Sequence, residues 1–130
     1  MATIWPPCNV YPTAQLGQDV SVGAFSEIGP NVVVGDRTRI GNGCFIPEKV
    51  SIGKDCFIGP HVCFTNDRFP PSHRENWEET VIEDGARLGA AVTVICGVRI
   101  GKRALIGAGA VVTRDVPEGE TWAGVPAKKL

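Results

Sequence analysis

From Leu16 onward a large apolar residue recurs at every sixth position: Val22, Ile28, Val34, Ile40, Ile46, Ile52, Ile58 and Phe64, then, after a gap, Ile82, Leu88, Val94, Ile100, Ile106 and Val112. Two residues before each stands a small or medium side chain, from Ala14 and Val20 through Ser26, Thr38, Cys44 and Cys56 to Ala104 and Ala110. Residues two apart on an extended chain share a face, so each hexad predicts a short strand with these two members pointing inward. The next residue is usually glycine, as at Gly23, Gly35 and Gly59, which suits a sharp corner at positive φ. Three hexads close a triangular coil, and a parallel β-helix is the architecture such hexads specify. The expectation is an all-β chain of about five coils, a prism about 24 Å tall at roughly 4.8 Å per coil.

The register predicts one domain over residues 1–130, with an N-terminal cap at 1–13, coils at 14–116 and a short C-terminal extension at 117–130. It breaks once. The hexads due at 70 and 76 would begin with Pro70 and Asn76, neither of which can fill a core. Twelve residues are therefore extruded as a polar loop at about 67–79, and long loops on rigid scaffolds are disproportionately functional. Stacking in steps of one coil places His61 and Cys63 outward on the strand ending at Phe64. Gly43 and Phe45 precede them in their columns, and Ala91 and Thr93, then Gly109 and Val111, follow. The His61 column thus becomes a groove with almost no side chains, while Asn66 marks a corner with Glu48 one coil away.

Composition narrows the partners. A net charge of −1 and a pI near 6.1 give no global field that would attract nucleic acid. No apolar run approaches the ~20 residues that span a bilayer, and no leader is evident at the start, so the expected location is cytoplasmic, without membrane insertion. Five cysteines without a CxxC pair suit neither a disulfide framework nor a zinc site. Cys44 and Cys56 fall in the small inward position, where they serve as core hydrophobes.

The stretches "GPHVCFTND", "GAAVTVICGVRIGKRALIGAGAVVTRDVP" and "AGVPAKKL" resemble the hexapeptide-repeat acyltransferases, and "FTND" followed by an extruded loop resembles their branch that N-acetylates nucleotide-linked 3-amino-3-deoxy sugars. The resemblance covers residues 14 to 116. It implies a left-handed β-helix, a homotrimer with parallel axes, acetyl-CoA as acyl donor, no metal, and a UDP- or dTDP-linked amino sugar as acceptor at a site between subunits. On that reading Asn66 orients the sugar or its amine and shares the catalytic role with His61, while Asp67, Arg68 and Glu48 are substrate contacts. Ala91 and Gly109 border the pantetheine arm, and Arg114, Lys128 and, more weakly, Lys102 meet the coenzyme's phosphates.

Acyl transfer to an amine requires a neutral nucleophile, alignment, an oxyanion donor and a proton acceptor. His61 is the natural base, since imidazole titrates near neutrality, and a backbone N–H near Ala91 could polarise the thioester carbonyl. His61 as a substrate or subunit contact remains open, because an amine needs less activation than a hydroxyl. His73, on the loop, reads as solvated, and an acyl carrier role for Cys63 is not required by the chemistry. Two alternatives stand beside the leading one: O-acetylation of a small alcohol or sugar with His61 as base, and a non-catalytic trimeric scaffold. A zinc hydratase on this fold would need three imidazoles, and the chain has two.

Overall fold

In the computed structural model, which describes residues 1–130, the hexads become strands of two or three residues. They stack in three parallel sheets, one on each side of a triangular prism. The first face contains Thr3–Ile4, Ser21–Val22, Arg39–Ile40, Phe57–Ile58, Arg87–Leu88, Leu105–Ile106 and Thr121–Ala123. The second runs from Asn9–Val10 through Glu27–Ile28, Phe45–Ile46, Cys63–Phe64 and Thr93–Val94 to Val111–Val112. The third comprises Gln15–Leu16, Val33–Val34, Val50–Ile52, Thr80–Ile82 and Arg99–Ile100. The fold is a left-handed parallel β-helix, as expected. Its large inward residues, including Ile28, Ile46, Ile58, Phe64 and Ile106, are fully buried in one continuous core.

The coil count differs: the prism makes about seven turns instead of five. Residues 1–13, expected as a cap, supply two strands of the first turn, with Ala2, Cys8 and Val10 packed against the core. Ile4 and Val10 lie in step with Leu16, so the six-residue register simply begins earlier. At the other end Trp122 sits in register with Ile106 and is 6 % exposed, closing the core, while Lys128–Lys129 pairs antiparallel beside it.

The glycines after each apolar residue also have a different cause from the one expected. Positive φ falls two residues later, at Asp19, Phe25, Asn31, Arg37, Asp55, His61, Ala91 and Arg103 among others. The glycine stripe is a steric demand. A Cβ on Gly35 would lie 2.6 Å from the Gly53 carbonyl carbon, and one on Gly59 2.7 Å from that of Gly89, closer than any side chain can come to the next coil.

Polar residues at the small inward position bridge coils. The Thr38 hydroxyl donates to the Gly53 carbonyl at 2.7 Å and accepts the Cys56 N–H at 3.0 Å; Ser26 does the same with Gly41 and Cys44. Burial pushes the Cys44 and Cys56 thiols up, and each donates to a carbonyl of the next coil. Thr80, immediately after the loop, is the exception: its buried hydroxyl has no partner.

That contrast is testable. Thr38→Val strands a buried N–H and a carbonyl and is expected to cost about 1–3 kcal/mol in urea unfolding, whereas Thr80→Val removes an orphan and is expected to be neutral or stabilising. Equal losses for the two would contradict the bonding described.

Candidate active site

Three corners separate the three faces, and two of them hold the candidate residues. Between the first and second faces runs a column of left-handed residues, Phe25, Gly43, His61, Ala91 and Gly109, with φ of 65, 68, 61, 58 and 73°. His61 therefore stands in the corner turn and not on the strand, which begins at Cys63. Its side chain is exposed, and the Nδ1–Cε1 edge of the ring lies over Gly43: a Cβ there would come within 2.6 Å of Nδ1. The conformation does not require glycine at 43, since Phe25, His61 and Ala91 adopt it with side chains. The imidazole does.

Beyond His61 the column is bare as expected, with Ala91 exposed and nothing within 4 Å of where a Gly109 Cβ would sit. The Ala91 N–H, however, is committed to the Pro60 carbonyl at 2.9 Å and the Gly109 N–H to Ala90 at 2.8 Å. Ala91 thus has no free N–H for a thioester carbonyl. The amides of Ala90 and Ala108, one residue earlier on exposed turns, donate to no backbone carbonyl. Cys63 is half-buried, and burial pushes its thiol up, away from the thiolate an acyl carrier needs.

The loop leaves and re-enters the corner between the second and third faces. Its root is closed by Glu78 N–H donating to the Asn66 carbonyl at 2.8 Å, and the Asn66 Nδ2 donates to the Glu48 carbonyl at 3.0 Å. Thr65 bonds across to Val94 and Cys96, replacing the interrupted ladder. The charged candidates are engaged within the protein. Asp67 accepts the Ser72 hydroxyl at 2.6 Å and its N–H at 2.8 Å. Arg68 grips Glu78 through two nitrogens, at 2.8 and 3.1 Å, and reaches the Cys96 carbonyl at 2.6 Å. Arg74 closes on the Glu48 carboxylate, which Asn31 also approaches at 3.3 Å. His73 is exposed, just before the short 3-10 turn Arg74–Asn76.

Glu48, Asn66 and Trp77 line a cleft of about 330 Å³ with Tyr11, Glu27 and Phe45. Trp77 and Tyr11 were not expected there. Trp77 reaches it from an aperiodic loop, and Tyr11 follows the strand Asn9–Val10 of the first turn. The Trp77 indole N–H is buried without a partner. On the other side of Glu48, Asn31, Lys49, Arg74 and Glu79 border a second cleft of about 410 Å³ on the third face. At the C-terminal end, Arg114 lies 4.9 Å from the centre of the Trp122 ring, and Lys128 and Lys102 are exposed.

His61 and Asn66 thus occupy opposite corners of the second face. The strand Cys63–Phe64, a full side of the triangular coil, lies between them, so one chain does not present both at one corner. No three His, Cys, Asp or Glu side chains are grouped to hold a metal ion, and no helix is long and apolar enough to cross a membrane.

A parallel prism of hexads with a bare corner column is the architecture of a class of transferases. The family model for bacterial transferase hexapeptide repeats matches residues 13–48, 31–66 and 79–114. The chain belongs to the bacterial transferase hexapeptide family.

Among solved structures, it is similar to the perosamine N-acetyltransferase of Caulobacter crescentus in complex with CoA and GDP-perosamine. Identity is 31 % over 99 % of this chain and 56 % of that one, with a TM-score of 0.87. The acetyltransferase domain of PglB from Neisseria gonorrhoeae, in complex with acetyl coenzyme A, is 26 % identical over 99 % and 57 % of the two chains, with a TM-score of 0.88. A 2,3,4,5-tetrahydropyridine-2,6-dicarboxylate N-acetyltransferase of Staphylococcus aureus is 50 % identical over 50 residues, 38 % of this chain and 21 % of that protein. The chain therefore spans about a fifth of the curated relatives it matches and a little over half of these solved structures.

Two outcomes follow from this geometry. Gly43→Ala is expected to fold, since Ala91 shares its backbone conformation, yet to shift the His61 ring resonances in NMR spectra, whereas Gly109→Ala leaves them in place. The second concerns acid. Arg74 holds Glu48, Ser72 holds Asp67 and Arg68 holds Glu78 below the usual carboxylate range. A carboxyl depressed in the folded chain stabilises it fully above the ordinary values near pH 4 and loses that contribution as pH falls through the lowered ones. Protection of residues 67–79 against hydrogen exchange, taken relative to the intrinsic exchange rate at each pH, is expected to fall on that descent before the coils open; simultaneous loss of protection in loop and coils would contradict it.

Proposed function

We propose that the protein is an N-acetyltransferase that moves acetyl from acetyl-CoA to the amino group of a nucleotide-linked amino sugar, at C3 of a UDP- or dTDP-linked sugar, in a homotrimer. The observation carrying this reading is the corner column. An exposed histidine seated on Gly43 is followed by Ala91 and Gly109, and the position beyond Ala91 is sterically open. An extended pantetheine arm needs such a bare track, with its thioester near His61. The solved relatives with CoA or acetyl-CoA bound support the donor, and the relative with GDP-perosamine bound supports the class of acceptor.

On this reading the amine loses a proton to His61 or to solvent, its lone pair forms the C–N bond, and the thiolate departs when the C–S bond breaks and takes up a proton. The amides of Ala90 and Ala108, which donate to no backbone carbonyl, are the candidate oxyanion donors, in the role expected of a backbone N–H near Ala91. Arg114 and Lys128 lie towards the coenzyme's phosphate end. Asn66 and Glu48 belong to the opposite corner, with Asp67 and Arg68 shaping the loop there. A trimer with parallel axes lets that corner of one copy face the His61 corner of the next, which makes the acceptor site a product of two subunits.

Incubation with acetyl-CoA and a panel of UDP-, dTDP- and GDP-linked amino sugars, with free thiol followed, tests the proposal. Thiol release with a 3-amino sugar is expected. His61→Ala is expected to lower kcat about 10²–10⁴-fold if His61 is the base, and Asn66→Ala to raise KM. Release only with alcohol acceptors would replace N-transfer by O-transfer, and no coenzyme binding at all would leave a scaffold.

A further inference from the structure

Six of the eight arginines are engaged: Arg37 with Asp55, Arg68 with Glu78, Arg74 with Glu48, Arg99 with Glu83, Arg103 with Glu118, and Arg114 over Trp122. Arg39 and Arg87 have no side-chain partner. Both point outward from the first face, and the strand register sets them on either side of Phe57. Arg39, Phe57, Trp5, Ser21 and Asn42 line a cleft of about 220 Å³. Trp5 is 61 % exposed and Phe57 43 %, so two aromatic rings and an unpaired guanidinium are presented together. The cleft abuts the reaction corner, because the His61 N–H donates to the Asn42 carbonyl at 2.8 Å.

We infer that this cleft seats the nucleoside diphosphate part of the acceptor, with the base against Trp5 or Phe57 and the phosphates on Arg39, and with Arg87 adding charge. The inference rests on the acceptor class proposed above. If the donor lies along Ala91 and Gly109, the acceptor's nucleotide must leave the reacting amine on the N-terminal side of His61. Three clefts open there, and the sign of charge separates the one holding Arg39 from the other two. The one on the second face, about 370 Å³, has Glu27 as its only charged lining residue; the cleft around Asn66 and Trp77 carries Glu27 and Glu48. Carboxylates repel a diphosphate, whereas an unpaired arginine offers it a two-pronged donor set. Aromatic stacking tolerates any base.

The test is direct titration of the full chain with UDP, dTDP and GDP, read by calorimetry and tryptophan fluorescence. Saturable binding with a fluorescence change is expected, weakened at least tenfold by Arg39→Gln and partly restored by Arg39→Lys. Trp5→Phe is expected to retain calorimetric binding and lose most of the fluorescence change. Absence of binding at millimolar nucleotide, binding indifferent to Arg39, or an Arg39→Gln variant that alters only the oligomeric state would each overturn the inference. The last outcome would assign the face to a second copy of the chain. Acetyl transfer by the wild-type chain with an unchanged KM in Arg39→Gln would refute the cleft and leave the enzyme reading standing. Failure of transfer with every acceptor would refute the enzyme reading, while the titration still judges the cleft.

Discussion

Coil-to-coil stacking at backbone contact distance governs the rest of this structure. A thin prism buries only one or two side chains per strand, so each coil relies on its neighbours for its hydrogen bonds and much of its apolar contact. The ladder supplies both, and it closes only where no Cβ intrudes, as at Gly35 beneath Gly53 and Gly59 beneath Gly89. Polar residues are accepted inside on the same terms. Ser26 and Thr38 lie at small inward positions because their hydroxyls join the coil-to-coil bonding.

The same stacking arranges the surface. Residues eighteen apart form columns, and where the loop intervenes the step becomes thirty, from Cys63 to Thr93. Each corner thus becomes a line of side chains parallel to the prism axis. The bare line and the histidine seat follow from what occupies one column, and the two arginines flanking Phe57 from what occupies another. The interior contributes rigidity, so that an imidazole over Gly43 and an open position at Gly109 stand in fixed relation.

Much of this was legible in the sequence because its cause is periodic. The inward positions, the place of the interruption, the column from Gly43 to Gly109 and the proximity of Asn66 to Glu48 all follow from counting in sixes and eighteens. Legibility failed where the cause is not periodic. The left-handed corner is filled by aspartate, phenylalanine, arginine, histidine and alanine alike, so residue type conceals it, and the glycines drew attention to the wrong position. The first turn was missed because Ile4 is followed by Trp5, Pro6 and Pro7, not by glycine. The pairing of Arg74 with Glu48 and of Arg68 with Glu78 depends on the path of a loop that no repeat constrains.

Those loop pairs bear on what the Asn66 corner can offer a ligand. Asn66 uses its amide nitrogen and its backbone carbonyl to hold the corner, which leaves its side-chain oxygen without a partner in the chain. Glu48, already satisfied by Arg74 and Asn31, adds little attraction for an ammonium unless Arg74 moves. A ligand meeting this corner therefore encounters a hydrogen-bond acceptor with little free negative charge behind it. On the N-transfer reading, in which only the neutral amine attacks a thioester, pairing Glu48 with Arg74 removes one source of attraction for the unreactive ammonium form.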